Sequence, residues 1–270
     1  MTAATGAGAA RRPPRPRRSL AIPLGLLAFV VITWLAMSEE FGIGLDPAEI
    51  AGNATRGAGI LGELLRPNWE FLPRTLEPLI ETLQIAVLAA VIGCSVALPI
   101  AFVVSRVTTP NRVSFGIGRA VLSVVRAVPD ILYALIFVAA VGIGPLAGIA
   151  ALIVFNVGVI AKLLSETVDG IDVGPIEAAR AAGAGRTQTV RWAVLPQVLP
   201  NYVAYSLYTF ELNVRASTVI GIVGAGGLGN LIFTQYRFFN WSNVSVIIVE
   251  LFVVVMAIEI VSIALRRRLV

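Results

Sequence analysis

Long apolar runs separated by short polar stretches organise this chain. A helix needs about 20 apolar residues to cross the hydrocarbon layer of a bilayer. Six segments approach that length: Leu20–Met37, Leu79–Val104, Leu122–Val141, Leu146–Leu164, Val198–Val223 and Val244–Leu265. Each predicts a membrane-spanning helix. The second holds Pro99 near its end, where a kink is expected. Arg126, Pro129 and Asp130 interrupt the first turn of the third, and Arg126 and Asp130 have the spacing of an ion pair near the membrane interface. The fifth carries Glu211, Asn213 and Arg215. The expected fold is therefore an all-α polytopic membrane protein with about six transmembrane helices. Residues 1–18 form a basic tail expected to be disordered, 19–38 an N-terminal anchor, 39–74 an extracytoplasmic loop, 75–265 a helical core, and 266–270 a basic end. Within the loop, Ala48–Leu65 suits a surface helix with Asp46 as N-cap and Pro47 at its first position.

Composition supports a bilayer as solvent. Of 270 residues, 57% are hydrophobic and 14% charged, against about 25% charged in a soluble domain. Cys94 is the single cysteine and there is no histidine. A disulfide framework, a thiolate or histidine metal site and histidine acid–base chemistry are all excluded. No metal site is expected. The basic residues set the orientation. The cluster Arg11–Arg18, then Arg106, Arg112 and Arg119, then Lys162, Arg180, Arg186 and Arg191, and finally Arg266–Arg268 share one side if six segments cross. The positive-inside rule makes that side the cytoplasm, with both termini on it. The first run has a basic lead like a signal peptide, but it ends in Met37-Ser38-Glu39-Glu40 with no small-x-small cleavage site, so an uncleaved anchor is expected.

The segment between Ser165 and Pro200 is too long and polar for a turn, which needs about 2–8 residues. Gly174 as N-cap, Pro175 at the first position and Glu177 near the positive end predict a short helix through the alanines. Gly183 and Gly185 end it, and a second short helix, Thr187–Val194, runs up to Pro196. Two short helices joined by glycine make a knob outside the membrane, and its alanine face admits close approach by another protein.

Glu177-Ala178-Ala179, three residues, Gly183, nine residues, then Ala193-Val194-Leu195-Pro196 resembles the EAA loop of ABC importer permeases, with Ala193 where that pattern prefers isoleucine. Arg126–Asp130, Phe210–Arg215 and Gly221–Gly229 resemble the phosphonate-type permease subfamily, and with the loop they cover most of residues 75–265. The resemblance implies a type I ABC importer permease core. Its cytoplasmic coupling loop, 165–197, would dock on an ATPase through Glu177, Ala178, Ala179, Gly183, Leu195 and Pro196. It also implies a second permease, identical or homologous, two cytoplasmic ATPase subunits, an extracytoplasmic substrate-binding protein and a bacterial inner-membrane location. ATP and Mg would sit on the ATPase. No cofactor is expected on this chain, which lacks a P-loop G-x-x-x-x-G-K-[ST]. The implied cargo is a phosphonate or a related phosphorus oxyanion.

Charges within a span cost about 2.5–3.5 kcal/mol each at the bilayer centre and need a partner or a wet cavity. Glu211 and Arg215 are spaced to pair. The alternative is a translocation pathway lined by Asn156, Glu211, Asn213, Arg215, Ser217 and Thr218, with the guanidinium meeting an anionic substrate. Gly224, Gly226, Gly227 and Gly229 fit G-x-G-x-x-G letter for letter, but a membrane span rather than a strand precedes them, which argues against a dinucleotide site. They are expected either to break the helix as an external gate or to let helices pack closely. Two alternatives stay open: within the family, an ABC permease for another small solute such as methionine, and in a different class, an ion-coupled secondary transporter using Glu211, Glu250 or Glu259, although no internal repeat is visible.

Overall fold

The computed structural model describes residues 21–38, 41–44, 46–109 and 111–267. The expected basic tail, 1–18, and the last residues, 268–270, lie outside them. Among the described residues every regular element is helical. The chain divides into two compact units, Met1–Gly59 and Ile60–Val270. In the first, α1 (Ala21–Met37) is apolar throughout, with Ile22, Leu26, Phe29, Ile32 and Trp34 all exposed. Lipid is the solvent that such a helix requires. Asp46 caps α2 (Pro47–Gly52) by accepting from Ala48 N at 2.8 Å, as expected. The expected single surface helix is nevertheless two, since α3 (Ala54–Leu64) starts anew after Asn53. Gly52 and Asn53 are adjacent poor helix formers, and the chain breaks there.

The second unit contains α4 (Leu76–Val103), α5 (Arg112–Ala127), α6 (Asp130–Val141), α7 (Pro145–Asp169), α8 (Gly174–Ala181), α9 (Arg186–Thr189), α10 (Leu195–Ile220), α11 (Gly227–Arg237) and α12 (Trp241–Arg266). α4, α7 and α12 are long and apolar enough to cross a membrane. α4 runs through Pro99 as one helix. The third expected span is not one helix: α5 and α6 meet at 85°. Proline removes a donor and forces the preceding residue out of the helical region, and Val128 is accordingly extended at φ −86°, ψ 123°. The expected Arg126–Asp130 pair is lost with the helical register. Asp130 accepts instead from Ile131 N at 2.9 Å, and no ion pair joins the two among the described residues. The fifth expected span, Val198–Val223, is helical as far as Val223, and a 60° bend follows it where the helix ending at Ala225 gives way to α11.

α4, α7 and α10 form the heart of this unit. Ala86, Ala89, Gly93 and Ala97 of α4 and Ala147, Ala151 and Ala161 of α7 are buried, a seam of small residues that brings the backbones close. At Gly93 an added Cβ would lie 2.7 Å from Asn156 Cβ, so the two helices approach too closely there for a larger residue. Ile85, Leu152 and Ile220 fill the space above the seam. Gly93→Val should overpack it and cost about 1–3 kcal/mol. The unfolding temperature of the purified chain measures this, and an unchanged value would show that the helices are not held that closely.

Candidate coupling site and charged network

The knob begins one residue earlier than its sequence suggests. α8 starts at Gly174 with Val173 at the N-cap position; Asp172, just before it, accepts from Gly174 N through Oδ1 at 2.9 Å, and Pro175 sits inside the first turn. Ile176 turns inward and is buried with Ala101, Leu164, Val168, Ala193, Val194 and Val198. Ala179 and Leu195 pack half-buried against the same cluster, whereas Glu177, Ala178 and Pro196 are exposed. Gly183 reverses the chain at φ +83°, a conformation that favours glycine. Its N–H reaches Arg180 O, and that of Ala184 reaches Ala179 O at 3.0 Å.

The expected second helix does not stop at Pro196. α9 passes through a π turn, Val190–Val194, directly into α10. Proline has no N–H, and its ring clashes with the carbonyl four residues back. Widening the turn, with Leu195 N bonded to Val190 O, removes the conflict and keeps the helix continuous. Gln197 fastens the other end of the knob. Its Nε2 donates to Ala193 O at 2.6 Å and to Asp172 O at 3.2 Å, and its Oε1 accepts from Asp172 N at 3.2 Å. Beneath the knob, Asp169 ties three elements: Arg119 Nη2 at 2.6 Å, Ser105 Oγ at 2.7 Å and Arg106 N at 2.7 Å.

Arg215 is paired as the spacing allowed, with Nη2 2.6 Å from Glu211 Oε1. The pair belongs to a larger set. Arg215 also lies 3.6 Å from Glu259, and Arg266 lies 3.6 Å from the other oxygen of Glu211. Two carboxylates and two guanidinium groups thus brace α10 against α12. Arg266 closes α12, so the set sits at that end of the last span, where charge costs less than at mid-bilayer. Glu211 is nearly buried, whereas 47% of the Arg215 side chain is exposed. Asn156, Asn213, Ser217 and Thr218 are buried between helices. Asn156 Nδ2 donates to Ala89 O at 3.0 Å and Asn213 Nδ2 to Ala86 O at 3.2 Å. Ser217 and Thr218 both donate to Val214 O.

The glycine run divides by task. Gly224, Gly226 and Gly227 have φ of 96°, 87° and 68° and turn the chain between α10 and α11. At Gly229 an added Cβ would strike the Thr218 carbonyl, so there the requirement is close approach. The new helix start is held by α4: Gly227 N donates to Glu81 Oε2 at 3.0 Å and Leu228 N to Thr82 Oγ1 at 2.8 Å. A carboxylate suits the positive end of α11. Gly226, Gly227 and Gly229 are buried.

Comparison with known proteins decides what this arrangement is. Residues 97–270 match the family described as binding-protein-dependent transport system inner membrane component. The chain belongs to that family. It is 37% identical to the phosphite transport system permease protein PtxC of Stutzerimonas stutzeri, over 90% of this chain and 88% of that protein. It is 42% identical to the phosphate-import permease protein PhnE of Mycolicibacterium smegmatis over 78% of its own length, and spans about 40% of that longer relative. A solved inward-facing MetNI methionine ABC transporter chain superposes with a TM-score of 0.67 at 26% identity, over 75% of this permease and 99% of that chain. The permease is thus a transport subunit of an ABC importer, embedded in the membrane, and the methionine-type relatives are more distant, at 27% and 29% identity.

Sequence reasoning missed Asp169, Gln197, Glu81 and Trp192. The first three act through contacts distant in sequence, which no local pattern announces. Trp192 was legible as an aromatic residue inside the knob, and the structure leaves it 71% exposed, with Arg191 over its ring at 5.3 Å. Asp169→Asn should weaken the pair to Arg119 and loosen the α4–α5 connection, lowering stability by about 1–3 kcal/mol. Thermal unfolding and faster amide exchange at Arg106 measure it; wild-type values for both would contradict the role given to Asp169.

Proposed function

We propose that this permease imports a phosphonate or a related phosphorus oxyanion, driven by ATP hydrolysed on separate subunits. One observation carries the mechanical part: an exposed Glu177–Ala178 surface sits on a knob that is fastened to α10 and continuous with it. Force applied there reaches the membrane without a flexible link. In this proposal two cytoplasmic ATPases, holding ATP and Mg, dock on the knobs of two permeases, identical or homologous, and an extracytoplasmic binding protein delivers the cargo. The knob and both termini face the cytoplasm, as the basic residues favour. Glu177, Ala178, Gly183 and Pro196 meet the ATPase, Ala179 and Leu195 support them from beneath, and exposed Trp192 adds an aromatic anchor. The phosphorus cargo is supported by the printed names of the phosphite and phosphate relatives. The turn at Gly224–Gly229 then lies at the outer end of α10 and serves as the external gate by allowing α11 to pivot against Glu81.

Glu177→Lys should leave the permease folded but abolish its stimulation of ATPase turnover. Normal coupling in that variant would overturn the docking reading. An ion-coupled mechanism is separated by the energy source, since uptake that follows a proton gradient and ignores ATP would replace this proposal.

A second role belongs to Arg215, because nearly half its side chain is open despite two carboxylate partners. The four charges of its network sum to zero, so substrate attraction requires Arg215 to release one carboxylate during transport. Arg215→Gln should reduce uptake of an anionic substrate by about tenfold if the guanidinium meets it. Arg215→Lys should keep the positive charge beside Glu211 and Glu259, hold stability near wild type and still reduce uptake; wild-type uptake in that variant would leave only the bracing role.

A further inference from the structure

We propose that the cleft between the α4–α5 connection and the knob binds a tetrahedral oxyanion, in the chemical class of inorganic phosphate or a phosphate-ester headgroup. The cleft is open to solvent on one side and has a volume of about 940 Å³; exposed Arg106 and Arg112 line it from the α4–α5 connection and α5, exposed Arg180 and Arg186 from the knob. Among the described residues no carboxylate lines it. Among the described residues none of these four arginines has a carboxylate within ion-pair distance. Neighbouring Arg119 is different: it is neutralised by Asp169 at 2.6 Å. Four uncompensated guanidinium groups around one cavity repel each other, and an anion between them turns that repulsion into attraction.

Two of the four are already positioned. Arg186 donates to Thr108 O, and Arg106 lies 5.5 Å over the Phe115 ring. Less side-chain freedom is then lost when an anion arrives. The placement of the other two is informative. Arg180 is in the last turn of α8, where the helix dipole favours a cation, but Arg112 opens α5 at the end where a cation is disfavoured. The needs of the helix do not explain Arg112 at that end; a cytoplasmic basic residue suits the orientation of the chain, and its place on the cleft suits an anion. The Thr108 and Thr109 hydroxyls donate to the carbonyls of Phe102 and Val103, so the guanidinium forks are the donors available to oxyanion oxygens. The cleft is larger than a bare phosphate, which leaves space for its hydration or for an ester substituent. A bound anion would join the α4–α5 connection to the knob. The inference does not depend on which solute is carried.

The test uses the full-length chain in neutral detergent, titrated with inorganic phosphate against chloride at constant ionic strength and read by calorimetry. In parallel, the chain is purified from membranes containing phosphatidylglycerol and weighed intact by mass spectrometry. If free phosphate is the ligand, binding is saturable and weakens about tenfold or more in the Arg112→Gln/Arg180→Gln double variant. If a lipid headgroup is the ligand, phosphate does not bind, and wild type retains phosphatidylglycerol that the double variant loses. Arg191→Gln removes a charge outside the cleft and should change neither result. Arg106→Gln repeats the test from one of the two anchored side chains should the double variant not fold. Equal behaviour of wild type and cleft variants toward both probes overturns the proposal, as does equal loss with Arg191→Gln, which would mean that general positive charge is enough. Cleft variants that bind both probes normally but no longer assemble with the ATPase also overturn it, and identify an acidic protein surface as the occupant.

Discussion

The π turn at Val190–Val194 is the constraint on which the mechanical reading rests. A proline at Pro196 would ordinarily break or kink the helix that leads from the knob into the membrane. One widened turn absorbs it, and the helix runs from Arg186 to Ile220 without interruption. Gln197 then clamps the start of the knob to the same helix through both atoms of its amide. Ile176 adds an apolar anchor in a cluster shared by the ends of α4, α7 and α10. In the proposed docking, a push on Glu177 would act on a unit rather than on a loop.

What that unit moves against is set by small residues and by charge. The alanine and glycine seam between α4 and α7 leaves little room for sliding, because their backbones are already in close approach. α12 is different: its contact with α10 includes the four-charge network of Glu211, Arg215, Glu259 and Arg266, and much of its apolar face is open. Ion pairs at a membrane face can exchange partners at lower cost than a packed seam can shift. α10 can thus move relative to α12 more easily than α4 can relative to α7.

The helical class, the apolar segments and the knob were legible in the sequence because they rest on local signals: run length, proline and glycine positions, and the Glu177–Pro196 spacing. The Glu211–Arg215 pair was legible for the same reason. The bend at Val128–Pro129 was under-read: the proline was seen, but an apolar count carries no angle. The continuity of α9 with α10 was missed because a proline after a short helix reads as an end, and a π turn leaves no mark in composition. Asn156 and Asn213 illustrate a different limit. A polar residue in a span reads equally as pathway or as glue, and only the carbonyls of Ala89 and Ala86 show where their donors go. Asp169, Glu81 and Gln197 were invisible because their partners are far away in the chain.

The central claim is that the knob and α10 move as one body. Cysteines replacing Asp172 and Gln197 would allow that junction to be locked by oxidation and released by reduction in the same protein, with buried Cys94 out of reach. ATP-driven uptake by the assembled transporter in vesicles should be at least as fast in the locked state as in the released one, because the disulfide takes over the clamping done by Gln197. Uptake that stops on oxidation and returns on reduction would show that the knob must hinge against α10, and would contradict the account.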